Sequence, residues 1–365
     1  MLETYARIEF PDADRYFPTI LDALEAHQLP VRREGPQRAI AGPGSEVALE
    51  IRGNRLDVTI NCRDAASLNS MRYSVTSLID FNAREAAPQI HWEGDMAGDT
   101  LPPQLQLLQV TNTEQITPRM RRIWFSGDDL TRYDTVEQLH SRLFFKRGRG
   151  IPTDWPVMTD AGQIRWPDGN AALDTRVYTV RSVDLAASRL AVDFFLGDHD
   201  GPATRWAHGA EPGDGVGFIG PAARGLVRAP FQVLAGDETG LPGIARCLEA
   251  LDRGAEGVAL IEIEGPQDEQ ELSAPDGMAV RWLWRGRVSP GTSNLLEKAF
   301  AEIDWPTDRE QCAFWCGAEY GAFRSMRRAV RDLGIPASNT VAFAHWRNGM
   351  SEPDIAAAGS SAIRD

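Results

Sequence analysis

The sequence predicts a multidomain chain: a small N-terminal α+β domain, a six-stranded antiparallel β-barrel, and a C-terminal α/β domain built on a parallel sheet. Three observations carry this. A hairpin and an amphipathic helix close within the first hundred or so residues, about six short strands then recur between turn signals, and from Phe231 onward strands and helices alternate.

A chain of 365 residues has room for roughly two or three domains. It has no run of about 18 apolar residues, and its first residues, MLETYARIEF, carry neither a basic nor an apolar leader region. The expectation is a cytoplasmic protein with no membrane insertion. A net charge of −14 argues against a general nucleic-acid binder, which needs a basic face. Among 38 basic residues only Lys146 and Lys298 are lysine, so any cationic site must be built from arginine. The four cysteines are too scattered for a disulfide framework and suit core packing, and no metal site is expected.

In residues 1–98, Thr4–Phe10 reads as a strand, Asp12 as the cap of a helix through Ile20, Leu21 and Leu24, and Val31 as renewed extended chain. Strands over 46–51 and 55–60 flank Gly53-Asn54, a turn that tolerates positive φ, and a second helix from Asp64 carries Leu68, Met71, Val75, Leu78 and Ile79 as one apolar stripe. Residues 95–104, with Pro102-Pro103, read as a linker.

Barrel strands are expected at 107–110, 119–125, 139–145, 176–180, 190–196 and 215–219, so the barrel domain spans 104–229 and includes a long insertion from Gly148 to Asn170. From 230 to 350, strands at 232–235, 258–264, 280–284, 313–316 and 341–344 interleave with helices at 242–251, 293–303 and 322–333. Residues 351–365 read as a flexible tail.

Chemistry concentrates on Arg176-Val177-Tyr178-Thr179. One strand there offers a guanidinium for a pyrophosphate, an aromatic face for a flat ring and a hydroxyl for a ring nitrogen, which are the three needs of a flavin dinucleotide. Thr179 faces away from Tyr178 on a flat strand, so the reading requires a twist or bend. The same alternation also suits a half-exposed sheet with no ligand. Downstream, Gly201-Pro202-Ala203 opens a helix whose free N–H groups can hold an anion. Asp237, Glu238 and Thr239 follow a buried strand, placed to meet ribose hydroxyls and to cap the next helix. Gly317-Ala318-Glu319 leads into a helix bearing Arg324, Arg327 and Arg328, which suits either a nicotinamide dinucleotide or a solvated basic face.

Arg176-Val-Tyr178-Thr179, Gly201-Pro202-Ala203 with Trp206-Ala207, Ala235-Gly236-Asp237-Glu238-Thr239, Gly317-Ala318-Glu319 and His345-Trp346-Arg347 occur in the order that resembles the siderophore-interacting protein family of ferric-siderophore reductases. The likeness covers roughly residues 105–350, and residues 1–98 resemble a small uncharacterised bacterial domain fused to it.

The resemblance implies a flavin barrel joined to a nucleotide-type, ferredoxin-reductase-like domain, with FAD as cofactor. Arg176, Val177, Tyr178 and Thr179 would hold the flavin, with Tyr178 and Thr179 next to its reactive edge. His140, Arg142 and Leu143 are further flavin-side residues. Gly201, Pro202, Ala203 and Trp206 would line its phosphates and ring, and Asp237, Glu238 and Thr239 its far side. Gly317, Glu319, Arg324, Arg327 and Arg328 would meet NADPH or NADH. The family's lysine-rich substrate pocket would be replaced by Arg142, Arg285, Arg287 and Arg347. His345 stands where the family commonly has Tyr, and His199 is a candidate replacement for a family His at Gly197.

The expected activity is transfer of electrons from NAD(P)H, or from a ferredoxin, through FAD to the Fe(III) of a siderophore. Two alternatives stand beside it: a flavin reductase with a redox-protein or organic acceptor, and a siderophore-binding protein without turnover.

Overall fold

A computed structural model of the protein describes residues 1–42, 46–147, 154–197, 201–350 and 354. His199 and all of the tail but Asp354 lie outside the described residues. Contacts divide the chain into two units, Met1–Gln106 with Lys146–Leu173, and Leu107–Phe145 with Asp174–Asp365.

The first unit contains β1 (Leu2–Glu9), α1 (Ala13–Ala26), β2 (Val31–Arg33), β3 (Arg38–Ala41), β4 (Glu46–Arg52), β5 (Arg55–Cys62), α2 (Ala65–Asn82) and β6 (Trp92–Gly94), with sheet order β2-β3-β4-β5-β1-β6. Along β5, Leu56, Val58, Ile60 and Cys62 are buried while Arg55, Asp57, Thr59 and Asn61 are half-buried, so the strand's period of two assigns one face to the core. That core takes Phe17, Ile20, Leu21 and Leu24 of α1 and Leu68, Val75 and Ile79 of α2. Asp64 caps α2 by accepting from the Ser67 N–H at 2.8 Å, whereas Asp12 stands at the start of α1 without a side-chain capping bond. Strand β3 was not expected; its four residues are too short for alternation to register.

The segment read as a linker is anchored. Arg72, fully buried, donates to the Met96 carbonyl and to Asn69 and Thr100, and Asn69 donates to the Leu101 carbonyl at 2.9 Å. The insertion read as part of the barrel also belongs to this unit. Met158 exchanges backbone hydrogen bonds with Thr100, and the Trp92 N–H donates to the Asp160 carbonyl. Gly162 sits where a Cβ would strike the Thr76 hydroxyl.

Strands β7 (Leu105–Thr117), β8 (Met120–Ser126) and β9 (Gln138–Lys146) begin the barrel, β10 (Val157–Met158) and β11 (Ile164–Arg165) form a small pair in the insertion, and β12 (Leu173–Asp184) and β13 (Arg189–Phe195) resume it. Helix α3 (Pro202–Gly209) and β14 (Gly215–Arg224) follow, and the closed order is β12-β13-β8-β7-β14-β9. Phe125, Phe145, Phe194 and Phe218 fill the interior. Strand β7 runs seven residues beyond the expected end at Val110, because polar Asn112, Thr113, Glu114 and Gln115 pair with β8 although none of them is buried.

The α/β part comprises β15 (Phe231–Gly236), α4 (Leu241–Ala250), β16 (Glu256–Ile263), β17 (Met278–Trp284), α5 (Leu295–Ala301), β18 (Cys312–Glu319), α6 (Tyr320–Asp332) and β19 (Thr340–Trp346). The sheet is parallel throughout, in the order β17-β16-β15-β18-β19. One face packs on α4 together with barrel residues Met120, Leu139 and Phe195, the other on α5 and α6. Crossover helices on both faces account for strands as uniformly apolar as β18, whose eight residues are all buried.

Barrel and sheet are joined through α4. Arg246, 6% exposed on a helix whose other buried residues are all apolar, donates to the Val180 carbonyl on β12 at 2.7 Å and to the Tyr133 carbonyl at 2.5 Å. One turn on, Glu249 accepts both Arg181 guanidinium nitrogens, at 2.6 and 3.0 Å. Buried Asp193 in turn accepts Arg122 through two bonds at 2.6 and 2.8 Å. Replacing Arg246 with Met leaves two buried carbonyls unpaired, and a loss of about 2–4 kcal/mol is expected from urea midpoints. Arg33→Met, which removes only an exposed ion pair with Asp22, should change stability by less than about 1 kcal/mol; equal losses would remove the special status of Arg246.

Candidate functional site

Strand β12 brings the expected constellation to the barrel wall. Tyr178 and Val180 pack with the barrel core, and alternation sends Thr179 and Arg181 to the opposite side, toward Glu249. The register with β13 shifts only between Val180 and Ser182, beyond Thr179, so Thr179 still faces away from Tyr178 and the bend expected between them is not seen. Tyr178 is half-buried with its ring 4.4 Å from that of Phe194. Arg176 is half-buried and donates to the Thr175 carbonyl at 2.7 Å, and Val177 is 49% exposed. Thr179 is 4% exposed, and its hydroxyl has no hydrogen-bond partner.

The neighbouring barrel strand, β9, adds more unsatisfied groups. Neither ring nitrogen of buried His140 has a partner, nor has the hydroxyl of buried Ser141. The His140 ring lies 5.3 Å from that of His345 on β19. Burial, with the charge of His345 as a second cause, pushes His140 down to about 3, so it is neutral. Arg142 is exposed, and the Leu143 side chain lies in the barrel core, so only the backbone of Leu143 remains for a ligand.

At the start of α3, Gly201 is extended and Pro202 occupies the first turn, and among the described residues no side chain caps the N–H groups. Ala203 and Ala207 face the barrel. Trp206, expected beside the cofactor, is half-buried and packs against the barrel's aromatic cluster. Its ring stacks on Phe125 at 6.3 Å and approaches Phe145 at 4.8 Å, because the helix turns that face inward with the two alanines.

The carboxyl edge of the parallel sheet differs most from expectation. Asp237 is a structural hub. One oxygen accepts from the Thr239 N–H at 2.9 Å and hydroxyl at 2.5 Å, the other from the Glu319 N–H at 2.9 Å and the Trp346 indole at 2.8 Å. Four internal donors replace the ribose hydroxyls expected there. Thr239 does not cap α4, whose cap position is Gly240 without a side-chain bond.

Arg285, expected at a substrate mouth, is 5% exposed and lies 2.6 Å from a Glu238 oxygen, in an ion contact whose angles are not those of a hydrogen bond. Burial, and then the neighbouring Asp237, raise Glu238 to about 7 against the pull of Arg285. Gly317 is small for a protein neighbour: a Cβ there would meet His345 at 2.6 Å. Glu319 caps α6 through the Gly321 N–H and accepts from the Asn348 N–H at 3.0 Å, so its carboxylate is engaged.

Arg327 and Arg328 are exposed on α6 and Arg324 is half-buried, while Phe323, Met326 and Val330 are buried; Arg327 lies over the Phe323 ring at 5.9 Å. Arg347 stacks over Tyr320 at 4.5 Å, and Arg287 is exposed. The sequence reading missed Ser141, Arg246 and Glu249. A lone arginine inside the apolar run LPGIARCLEA was the available signal for Arg246.

Thr179 Oγ1 and His140 Nδ1 and Nε2, polar atoms without partners, lie on adjacent strands with Thr179 facing away from the barrel core and His140 toward β19, and a helix start with free N–H groups among the described residues follows in the chain. These groups fit the polar ring edge and phosphates of FAD. Among the described residues no group of three or more His, Cys, Asp or Glu could hold a metal ion, and no helix is long and apolar enough to cross a membrane.

Residues 109–225 match the family model described as siderophore-interacting FAD-binding domain, residues 229–349 match siderophore-interacting protein, and residues 5–93 match an uncharacterized protein conserved in bacteria (DUF2218). An uncharacterized protein of Mycobacterium tuberculosis is 35% identical over 268 residues, covering 68% of this chain and 92% of that one. The NADPH-dependent ferric-chelate reductase of Escherichia coli is 33% identical over 249 residues, covering 66% and 91%. A solved siderophore utilization protein from T. fusca is 32% identical with a TM-score of 0.57, covering 70% of this chain and 96% of that one.

The state of His140 makes stability depend on pH. The unfolded chain binds its proton near the ordinary 6.5 and the folded protein only near 3, so its contribution is complete above about 6.5. It falls by about 1.4 kcal/mol per unit as pH drops between the two values. Glu238 acts in the opposite sense, because its raised value makes the folded state hold a proton between 4.5 and about 7. The test is therefore a difference: His140→Phe should close its stability gap to the wild type as pH is lowered from 7 to 5. A gap independent of pH would show that His140 is not held neutral.

Proposed function

This chain belongs to the siderophore-interacting protein family, and on that premise we propose that it is an FAD-dependent ferric-siderophore reductase, taking electrons from NADPH or NADH and releasing iron as Fe(II). The observation that carries the reading is β12, where Arg176, Tyr178 and the unpaired Thr179 hydroxyl come within four residues beside the unpaired His140.

Arg176 and the N–H groups at the start of α3 supply charge and donors for the pyrophosphate. Tyr178, backed by Phe194, offers a ring fixed in position for stacking, and Thr179 supplies a hydroxyl that the protein leaves unused. Bound flavin accepts two electrons as hydride and delivers them singly, which suits a two-electron donor and a one-electron ferric acceptor. Reduction weakens the match between iron and the hard oxygen donors of a siderophore, so the protein does not need to ligate the metal. The exposed Arg142 and Arg287 attract an anionic chelate locally against a net charge of −14. The ferric-chelate reductase relative carries the same activity class in its name.

The purified protein should be yellow, bleach on anaerobic addition of NADPH or NADH, and regain colour when a ferric siderophore is added with a ferrous-specific chelator that then colours. Bleaching without a ferrous complex would leave a flavoprotein with another acceptor. Arg176→Ala should weaken FAD retention by roughly tenfold or more, as expected for loss of a charge-assisted contact; retention at the wild-type level would remove Arg176 from the cofactor site.

A further inference from the structure

Among the described residues of the unit holding barrel and sheet, four large apolar side chains are exposed: Val177, Leu185, Trp284 and Val288. Two of them lie within five residues at the carboxyl end of β17. Trp284 is 56% exposed and Val288 48%, and the exposed Arg287 stands between them.

Alternation puts Trp284 on the same side of β17 as Val280 and Trp282. Both of those pack in the cluster that includes Met120 and Leu139 of the barrel, so Trp284 continues the barrel-facing side past the end of the sheet. The indole is not loose, because its Nε1–H donates to Glu269 Oε1 at 2.9 Å. That bond holds the ring by its edge and leaves a face uncovered. The turn is fixed as well: the Gly286 N–H donates to the Glu264 carbonyl at 2.8 Å, and the Val288 N–H donates to the Arg285 carbonyl. The carboxylate of Glu264 pairs with Arg119 at the barrel's β7–β8 turn, which keeps this end of the sheet against the barrel. Arg285 is committed to Glu238, so Arg287 is the cation available here.

We propose that Trp284, Arg287 and Val288 form a platform for the aryl groups of the ferric chelate, selecting catecholate or phenolate siderophores over hydroxamates. This deepens the reductase reading and rests on it. A catecholate arm is a flat ring carrying negative charge, so it can stack on the indole while Arg287 meets its oxygens. A hydroxamate arm has no aryl face to stack.

The experiment uses the full-length protein and redox-inert gallium(III) complexes, tris(catecholate) and tris(acetohydroxamate), with affinities measured by titration calorimetry. Trp284→Ala should weaken the catecholate complex roughly threefold to tenfold and leave the hydroxamate complex unchanged, and Trp284→Phe should restore most of the loss. Arg287→Ala should weaken the charged catecholate complex. Equal effects of Trp284→Ala on both complexes, or none on either, would overturn the platform. So would weakened NADH binding with unchanged chelate binding, which would assign the indole to an adenine ring. Ferric reduction measured on the same preparation reports separately: binding with this selectivity but no turnover upholds the platform and removes the reductase.

Discussion

The site depends on how β12 is held. One face of that strand closes the barrel while the other is taken by α4 of the parallel-sheet part, through Arg246 on the Val180 carbonyl and Glu249 on Arg181. A guanidinium buried among apolar neighbours keeps its charge only if carbonyls or carboxylates surround it, so Arg246 tolerates little displacement of the strand. Arg176, Tyr178 and Thr179 lie immediately before this contact and inherit its position. Alternation lets Val180 meet the core while Arg181 turns to Glu249, and the register with β13 shifts just there.

The carboxyl edge of the parallel sheet follows the same logic with opposite charge. Asp237 ties together three strands through four donors, including the Trp346 indole from the last strand and the Glu319 N–H at the start of α6. Glu238 and Arg285 neutralise each other out of solvent. A carboxylate whose lone pairs are filled internally orders the backbone around a ligand cleft more than it contacts the ligand.

The first unit shows how polar groups organise chain that lacks apolar periodicity. Residues 95–101 and 154–165 contain few buried apolar side chains, yet they are fixed by buried Arg72, Asn69 and Thr76 and by backbone pairing at Thr100 and Met158. Hydropathy does not register such segments, because their order comes from satisfying donors that α2 carries into the core.

Fold class, the two-period barrel strands, the alternating α/β order, the apolar stripe of α2 and the Arg-Tyr-Thr strand were determined by the sequence itself, since each is a local pattern of hydrophobicity or chemistry within one element. Only the tertiary structure decided that Arg285 is buried against Glu238, that Trp206 packs against the barrel's aromatic cluster, that Asp237 spends its oxygens inside the protein, and that the insertion joins the first unit. In each case a residue's role depends on which partner more than 25 residues away reaches its polar atoms first, and spacing along the chain carries no record of that competition.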